Sequence, residues 1–298
     1  MTITISNLTK TYAGKVQALK GIDLTIGTGM FGLVGPNGAG KTTLMRLLAG
    51  LMRPTTGDIR VFGHDMGTHD GKYAAKALLG YLPQELGLYP NLTAREFLDY
   101  IAILKGVTNT QQRQQQITDL LDVVRLTDVA NRRLKTYSGG MKRRIGIAQA
   151  LLGDPKLLIV DEPTVGLDPE ERVRIRNLLS DMAHRCTVIL STHIIEDISH
   201  SCNDLAIMSS GGVLFRGSPA QMIQQAQGKV WHVVTDGARP NHGLIVVSTL
   251  QVADGVQYRV LGEPEGHYTA SPVAPSLEDS YIWLMHEAQA GVEVQPIR

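Results

Sequence analysis

Gly35-Pro36-Asn37-Gly38-Ala39-Gly40-Lys41-Thr42-Thr43 is the stretch that organises this chain. An apolar segment, residues 30–34, runs into it. A helix-like segment, Leu44-Met45-Arg46-Leu47-Leu48-Ala49, runs out of it and is closed by Gly50. Strand, glycine-rich turn and helix in that order turn G-x-x-x-x-G-K-[ST] from a letter pattern into a predicted phosphate-binding loop. The glycines let successive backbone N–H groups point at one anion, and the helix behind adds the positive end of its dipole. Lys41 is then expected to reach the outer phosphates of a nucleoside triphosphate, and the Thr42 hydroxyl to take a place on Mg²⁺.

The chain around this loop has 298 residues, enough for one large domain or two smaller ones. Hydrophobic residues at 43% and charged residues at 19% supply an ordinary globular core. A formal net charge of +1 argues against a dedicated nucleic-acid binder held by counterion release. Cys186 and Cys202 have neither disulfide-framework nor metal-site spacing and are expected to be reduced, in a cytosolic compartment. Residues 1–5 alternate like a strand and carry no signal-peptide pattern. No run of about 18 apolar residues occurs, so any membrane-spanning part is expected from another chain.

Residues 1–34 read as short strands with turns at 13–15 and 27–29, and Tyr12 stands out as an aromatic at a strand edge. A turn at 54–58 leads to a short strand at 59–63. Residues 64–76 are polar and show no period, and 78–82 reads as a strand running into Pro83-Gln84-Glu85. From about 93 to 133 the pattern is helical: Phe97, Ile101 and Leu104 recur at helical spacing, and Thr93 with Glu96 makes a capping box. The glutamine-rich run at 111–116 reads as the solvated start of a helix. This block is expected to be a helical insertion in an α/β domain.

Residues 157–160 form an apolar run between Pro155 and Asp161, the signature of a strand buried on both faces of a parallel sheet. A helix at 172–183 and a second buried strand at 187–190 follow, then short strands at 205–208 and 213–215. The alternation predicts a parallel sheet flanked by helices. Beyond Gly217-Ser218-Pro219 the texture shifts to a helix at 220–227 and strands at 230–235, 244–250 and 256–261. A Gly- and Pro-rich stretch at 262–275 and a final helix at 276–288 complete a small extension with no chemical motif of its own.

Several residues converge on the phosphate loop in this reading. Asp161 and Glu162 end a buried strand, where ligands of such sheets bind. Asp161 can hold Mg²⁺ directly or through its water, and Glu162 can position or deprotonate an attacking water. Gln84, after a strand, could contact the metal or the water, and His193 lies on the same sheet edge as the acids. Tyr137-Ser138-Gly139-Gly140-Met141 precedes a helix and presents bare N–H groups, a second anion site that lacks a lysine. In Val165-Gly166-Leu167-Asp168-Pro169, Asp168 reads as an N-cap with Pro169 at the first helical position.

In this order the residues resemble the ATP-binding cassette ATPases over residues 1 to about 217. The resemblance implies an adenine-stacking role for Tyr12 and makes 35–43 the P-loop, Gln84 the Q-loop and 137–141 the signature. Residues 157–162 correspond to Walker B, 166–168 to the D-loop and His193 to the switch histidine. The signature departs from L-S-G-G-Q at both ends, with Tyr137 and Met141, and keeps its Ser-Gly-Gly centre. The implied fold is α/β, a P-loop NTPase core with a mixed or antiparallel N-terminal β-subdomain and a helical subdomain at about 93–150. The implied ATPase domain is 1–219, and 220–298 is a small α+β extension with a regulatory or dimer-contact role.

The resemblance also implies two identical copies facing head to tail, with ATP on one P-loop covered by Ser138, Gly139 and Gly140 of the other. Glu162 is the implied base, with His193 holding the γ-phosphate and water and Lys41 with Mg²⁺ offsetting charge. The expected job is the motor of a membrane transporter at the cytoplasmic face, with the permease a separate integral-membrane chain. Pro275-Ser276-Leu277-Glu278-Asp279-Ser280-Tyr281 resembles the C-terminal segment of cassettes serving ABC-2-type drug, antibiotic and sodium exporters. An alternative is a cassette ATPase acting on ribosomes or DNA. One P-loop, no sustained heptads and near-neutral charge weigh against it, and no nucleic-acid partner is expected.

Overall fold

The computed structural model describes residues 2–290 apart from positions 200, 242, 254 and 267, so the extension's last positions, 291–298, lie outside the described residues. β1 (Ile3–Thr11) and β2 (Gln17–Ile26) form an antiparallel hairpin. Alternate residues, among them Ile3, Ile5, Leu24 and Ile26, point into one core, as period-2 patterning requires. β3 (Met30–Val34) is buried at every position and leads through the glycine-rich loop into α1 (Lys41–Leu48). β4 (Thr56–Val61) returns beside β1, and the two-residue β5 (His64–Asp65) completes a four-stranded antiparallel sheet in the order β2-β1-β4-β5.

Residues 64–76, which show no period in sequence, hold all but the last residue of a helix, α2 (His69–Ala77). Thr68 caps it by accepting a hydrogen bond from the Gly71 N–H. β6 (Leu79–Leu82) follows. The helical insertion then holds α3 (Ala94–Leu104), α4 (Thr110–Val123) and α5 (Gly139–Leu151). Thr93 and Glu96 form the expected capping box, and the glutamine run lies inside α4 behind an Asn109 cap. Phe97, Leu98, Ile117, Leu121 and Ile145 give the insertion its own core.

β7 (Leu157–Asp161), α6 (Pro169–Ala183), β8 (Thr187–Thr192), α7 (Glu196–Ser199), β9 (Asp204–Ser209) and β10 (Gly212–Gly217) complete the main body. Six strands make one sheet in the order β10-β9-β3-β8-β7-β6. All its pairings are parallel except that of the edge strand β10. Alternation along these strands divides the core in two. Phe31, Leu33, Leu157, Ile159 and Ile189 face α1 and the antiparallel sheet. Met30, Val34, Leu158, Val160 and Leu190 face α5 and α6.

After β10 come α8 (Pro219–Gln224), β11 (Val230–Thr235), β12 (Ile245–Val252), β13 (Gly255–Leu261), β14 (Thr269–Pro272) and α9 (Leu277–Gln289). β14 is an edge strand inside the Gly- and Pro-rich stretch that carries no strand signal in sequence. The four strands form an antiparallel sheet, β12-β13-β11-β14, around Val233, Tyr258 and Val260. Met222 of α8 and Leu277 and Leu284 of α9 join the second core of the main sheet. Arg259 on β13 meets the buried Asp279 of α9 at 2.6 Å, which ties the two parts of the extension together. Burial pushes the Asp279 carboxyl up, but its bonds from Arg259 and Ser276 outweigh this and hold it below the usual carboxylate value.

Candidate functional site

The loop leaves β3 at Gly35, where a Cβ would lie 2.2 Å from the Met208 carbonyl oxygen, so only a bare backbone passes β9 there. Gly40, the N-cap of α1, has φ +104°, a left-handed conformation that glycine adopts without strain. Between them the Ala39 N–H closes the turn on the Pro36 carbonyl at 3.2 Å, with Asn37 and Gly38 at its tip. Lys41 opens α1 with its side chain folded back over the loop. Its Nζ donates to the Gly35 carbonyl at 2.6 Å and the Pro36 carbonyl at 3.3 Å.

Lys41 Nζ also lies 3.3 Å from Glu162 Oε1, and both side chains are only 5% exposed. The other carboxylate oxygen, Oε2, lies 2.7 Å from His193 Nδ1, whose ring is 42% exposed. Glu162 is therefore gripped between a buried cation and an imidazole that reaches solvent. Parallel pairing of β7 and β8, with Asp161 opposite Ser191, brings the strand ends side by side. Ser191 Oγ donates to Asp161 Oδ1 at 2.5 Å, and Thr42 Oγ1 donates to the same oxygen at 3.4 Å. Asp161 Oδ2 is buried with no hydrogen-bond partner among the described residues. A carboxylate oxygen left bare beside a threonine hydroxyl fits a hard cation that takes its remaining ligands from phosphate oxygens and water.

Tyr12 sits just past β1 at the rim, with its hydroxyl 3.1 Å from Thr43 Oγ1 and Lys10 Nζ 5.7 Å from its ring centre. Gln84 is exposed in a cleft of about 420 Å³ that Glu162, Gly139 and Gly166 also line. Ser138 caps α5 by accepting from the Met141 N–H at 3.2 Å. A Cβ on Gly140 would come within 2.8 Å of the Glu171 side chain. Asp168 accepts from the Glu171 N–H at 2.9 Å, the cap role, with Pro169 behind it. The bonds that gather Lys41, Thr42, Asp161, Glu162 and His193 include none from Ser138, Gly139, Gly140 or Asp168.

Three features of the site were not read from the sequence. Ser191 fixes Asp161 and also receives the Glu162 N–H at 3.1 Å. Asp197 is buried and accepts from Thr164 Oγ1 at 2.5 Å and Thr192 Oγ1 at 3.3 Å, which joins the segment after Glu162 to the one before His193. Arg143 is buried under the end of β7, where burial pulls its guanidinium below the usual value against the raising fields of Asp161 and Glu162. A signal for Arg143 was present. Lys142-Arg143-Arg144 sets three cations in the first turns of a helix, where the dipole disfavours them.

The family description "ABC transporter" matches residues 19–165. In Escherichia coli K12, the protein named "Probable multidrug ABC transporter ATP-binding protein YbhF" is 38% identical across 99% of this chain, which spans only 54% of that relative's length. The linearmycin resistance ATP-binding protein LnrL of Bacillus subtilis is 38% identical over 74% of this chain and 71% of its own. Among solved structures, the dimeric post-hydrolysis cassette MJ0796 bound to ADP and phosphate aligns with a TM-score of 0.67 at 27% identity. That alignment covers 72% of this chain and 98% of the cassette.

Proposed function

The chain belongs to the ABC transporter family of ATP-binding proteins, and from that membership we propose that it is the ATP-hydrolysing motor of an ABC-2-type exporter. It works as a head-to-tail dimer of identical copies on a separate integral-membrane permease, at the cytoplasmic face. Residues 1–219 form the motor and 220–298 an extension with a regulatory or dimer-contact role. One observation carries this reading: Glu162 is held between Lys41 and His193, one residue beyond the Asp161–Thr42 pair.

ATP binds with its phosphates against the N–H groups of 35–43, with Lys41 released from its own loop carbonyls onto the outer phosphates. The adenine stacks on Tyr12. Thr42 and Asp161, with Gln84 nearby, would hold Mg²⁺, which when bound offsets charge on the phosphate oxygens. Glu162 takes the proton of the attacking water, and His193 orients Glu162 and the γ-phosphate. Ser138, Gly139 and Gly140 of the partner copy cover the triphosphate, which accounts for their place outside the cluster in their own chain. Asp168 lies in the loop that meets this interface.

No helix among the described residues is long and apolar enough to cross a membrane, which supports a separate permease. Tyr89, Tyr100, Ile103 and Leu104 leave an apolar patch exposed on the helical insertion and the loop after Gln84, a surface suited to a permease's helices. The names of the relatives, multidrug transport and linearmycin resistance, support export. The test is Glu162→Gln: ATP binding is retained and hydrolysis slows by roughly 10²–10⁴-fold. Turnover at the wild-type rate would remove Glu162 from its role. Tagged protein should be recovered from detergent-solubilised membranes with an integral-membrane chain. Recovery with ribosomes and no such chain would replace transport by a translational role.

A further inference from the structure

Arg143 lies five residues beyond Ser138 on α5, with its side chain nearly closed to solvent. A guanidinium offers five N–H donors in a planar fork. Here Nε donates to the Pro163 carbonyl at 2.8 Å. Nη1 donates to the carbonyls of Pro83 at 3.1 Å and Gln84 at 2.9 Å. Nη2 donates to the Asp161 carbonyl at 2.8 Å and, through a shorter contact, to that of Glu162. Burying a cation calls for such satisfaction, but packing alone does not dictate which carbonyls supply it. Every acceptor lies on one of two segments, and those segments carry Gln84 and the Asp161–Glu162 pair.

Backbone geometry at Glu162 adds an independent reason for the clamp. Glu162 has φ +50°, a left-handed conformation that a non-glycine residue keeps only where its surroundings enforce it. The turn is pinned on its N–H side by the Ser191 carbonyl and hydroxyl, each at 3.1 Å, and on its carbonyl side by Arg143. Removing Arg143 frees one side of a strained turn whose side chain must point between Lys41 and His193.

We infer that Arg143 is a positioning residue for hydrolysis, holding the strained turn at Glu162 and locking it to the Gln84 backbone. Its donors all go to backbone carbonyls, so it acts through the segments that carry them. Because it is rooted in α5, a displacement of that helix at its Ser138 end reaches both catalytic segments of the same chain through one side chain. This rests on the reading of Glu162 as the general base.

The test uses the full chain with Arg143→Met, Arg143→Lys and Glu162→Gln, measuring kcat, KM for ATP, equilibrium ATP affinity and thermal unfolding. Arg143→Met should lower kcat by about 10²-fold, the scale of a misplacement near 1 Å. ATP affinity should stay within about threefold of wild type, because the P-loop is untouched. Arg143→Lys keeps the charge and loses the planar fork, so it should recover part of the lost kcat. It also supplies the reading if the methionine variant does not fold. A kcat within about threefold of wild type in the folded variants, or an equal loss of kcat and ATP affinity, would overturn the inference. Wild-type turnover in Glu162→Gln would instead overturn the base assignment, so the two failures are distinguishable.

Discussion

Tyr12 has one half of its surroundings in protein and the other half open. Its hydroxyl meets Thr43, while the residue as a whole is 37% exposed beside the loop that takes the phosphates. Stacking of a base on an aromatic ring contributes roughly 1–3 kcal/mol. Tyr12→Ala should therefore weaken ATP binding by about 5- to 150-fold in equilibrium titration, while Tyr12→Phe keeps the platform and stays near wild type. Equal affinity in the alanine variant would exclude stacking. At this scale the sequence was most informative. Lys41, Thr42, Asp161, Glu162 and His193 were nameable because each sits at a fixed offset from a strand end or a glycine, and the parallel pairing of β7 with β8 brings those offsets together. Arg143 is hard to single out in sequence because a basic run such as Lys142-Arg143-Arg144 also suits a solvated surface. Its acceptors lie 18–20 and 59–60 residues away in sequence, where no local pattern can point to them.

Elements differ in how loudly they announce themselves. α3 was legible from its period and its capping box. α2 was not, because Ala75 is its one buried residue and Gly71 sits in its first turn. Its sole clear signal was Thr68 as a cap. β14 has four residues, mostly exposed, and ends on a proline at a sheet edge, so neither alternation nor composition marks it. α5 ends on a side chain from another element: Lys105 Nζ donates to the carbonyls of Ala150 at 3.0 Å and Leu152 at 2.8 Å. The side chain is exposed along its length, but its amine is tucked against the end of α5, and that desolvation pulls the Lys105 pKa down to about 8. Between that value and the usual 10.4 or so, the unfolded chain binds a proton that the folded chain has released, so this group makes stability rise with pH in that window. The melting temperature of wild type minus that of Lys105→Met should grow between about pH 8 and 10. A difference that is flat or shrinks over that range would contradict the burial of a titrating amine.

For the whole molecule, the arrangement that matters is the separation of the Ser138 cap from the Lys41–Glu162 cluster of its own chain. If a second copy closes the site, nucleotide should drive association. Glu162→Gln protein should sediment as a dimer with ATP and as a monomer without it. Adding Ser138→Arg should abolish the dimer while leaving nucleotide binding by the isolated subunit intact. A dimer that forms equally well with arginine at 138 would refute the head-to-tail arrangement. The two-faced division of the main sheet followed from alternation in the sequence. Which helices would cover each face did not, since Met222, Leu277 and Leu284 read as parts of a distant extension. Their place in the second core, with α8 against the edge strand β10 and α9 against α8, sets a timetable for synthesis. The P-loop emerges from the ribosome early, but the part of the second core next to β10 waits for Leu284 to be translated. At roughly 5–20 residues per second the nascent chain carries that bare surface for many seconds after its phosphate cradle is complete. Chaperone engagement and premature termination should both register at this late seal.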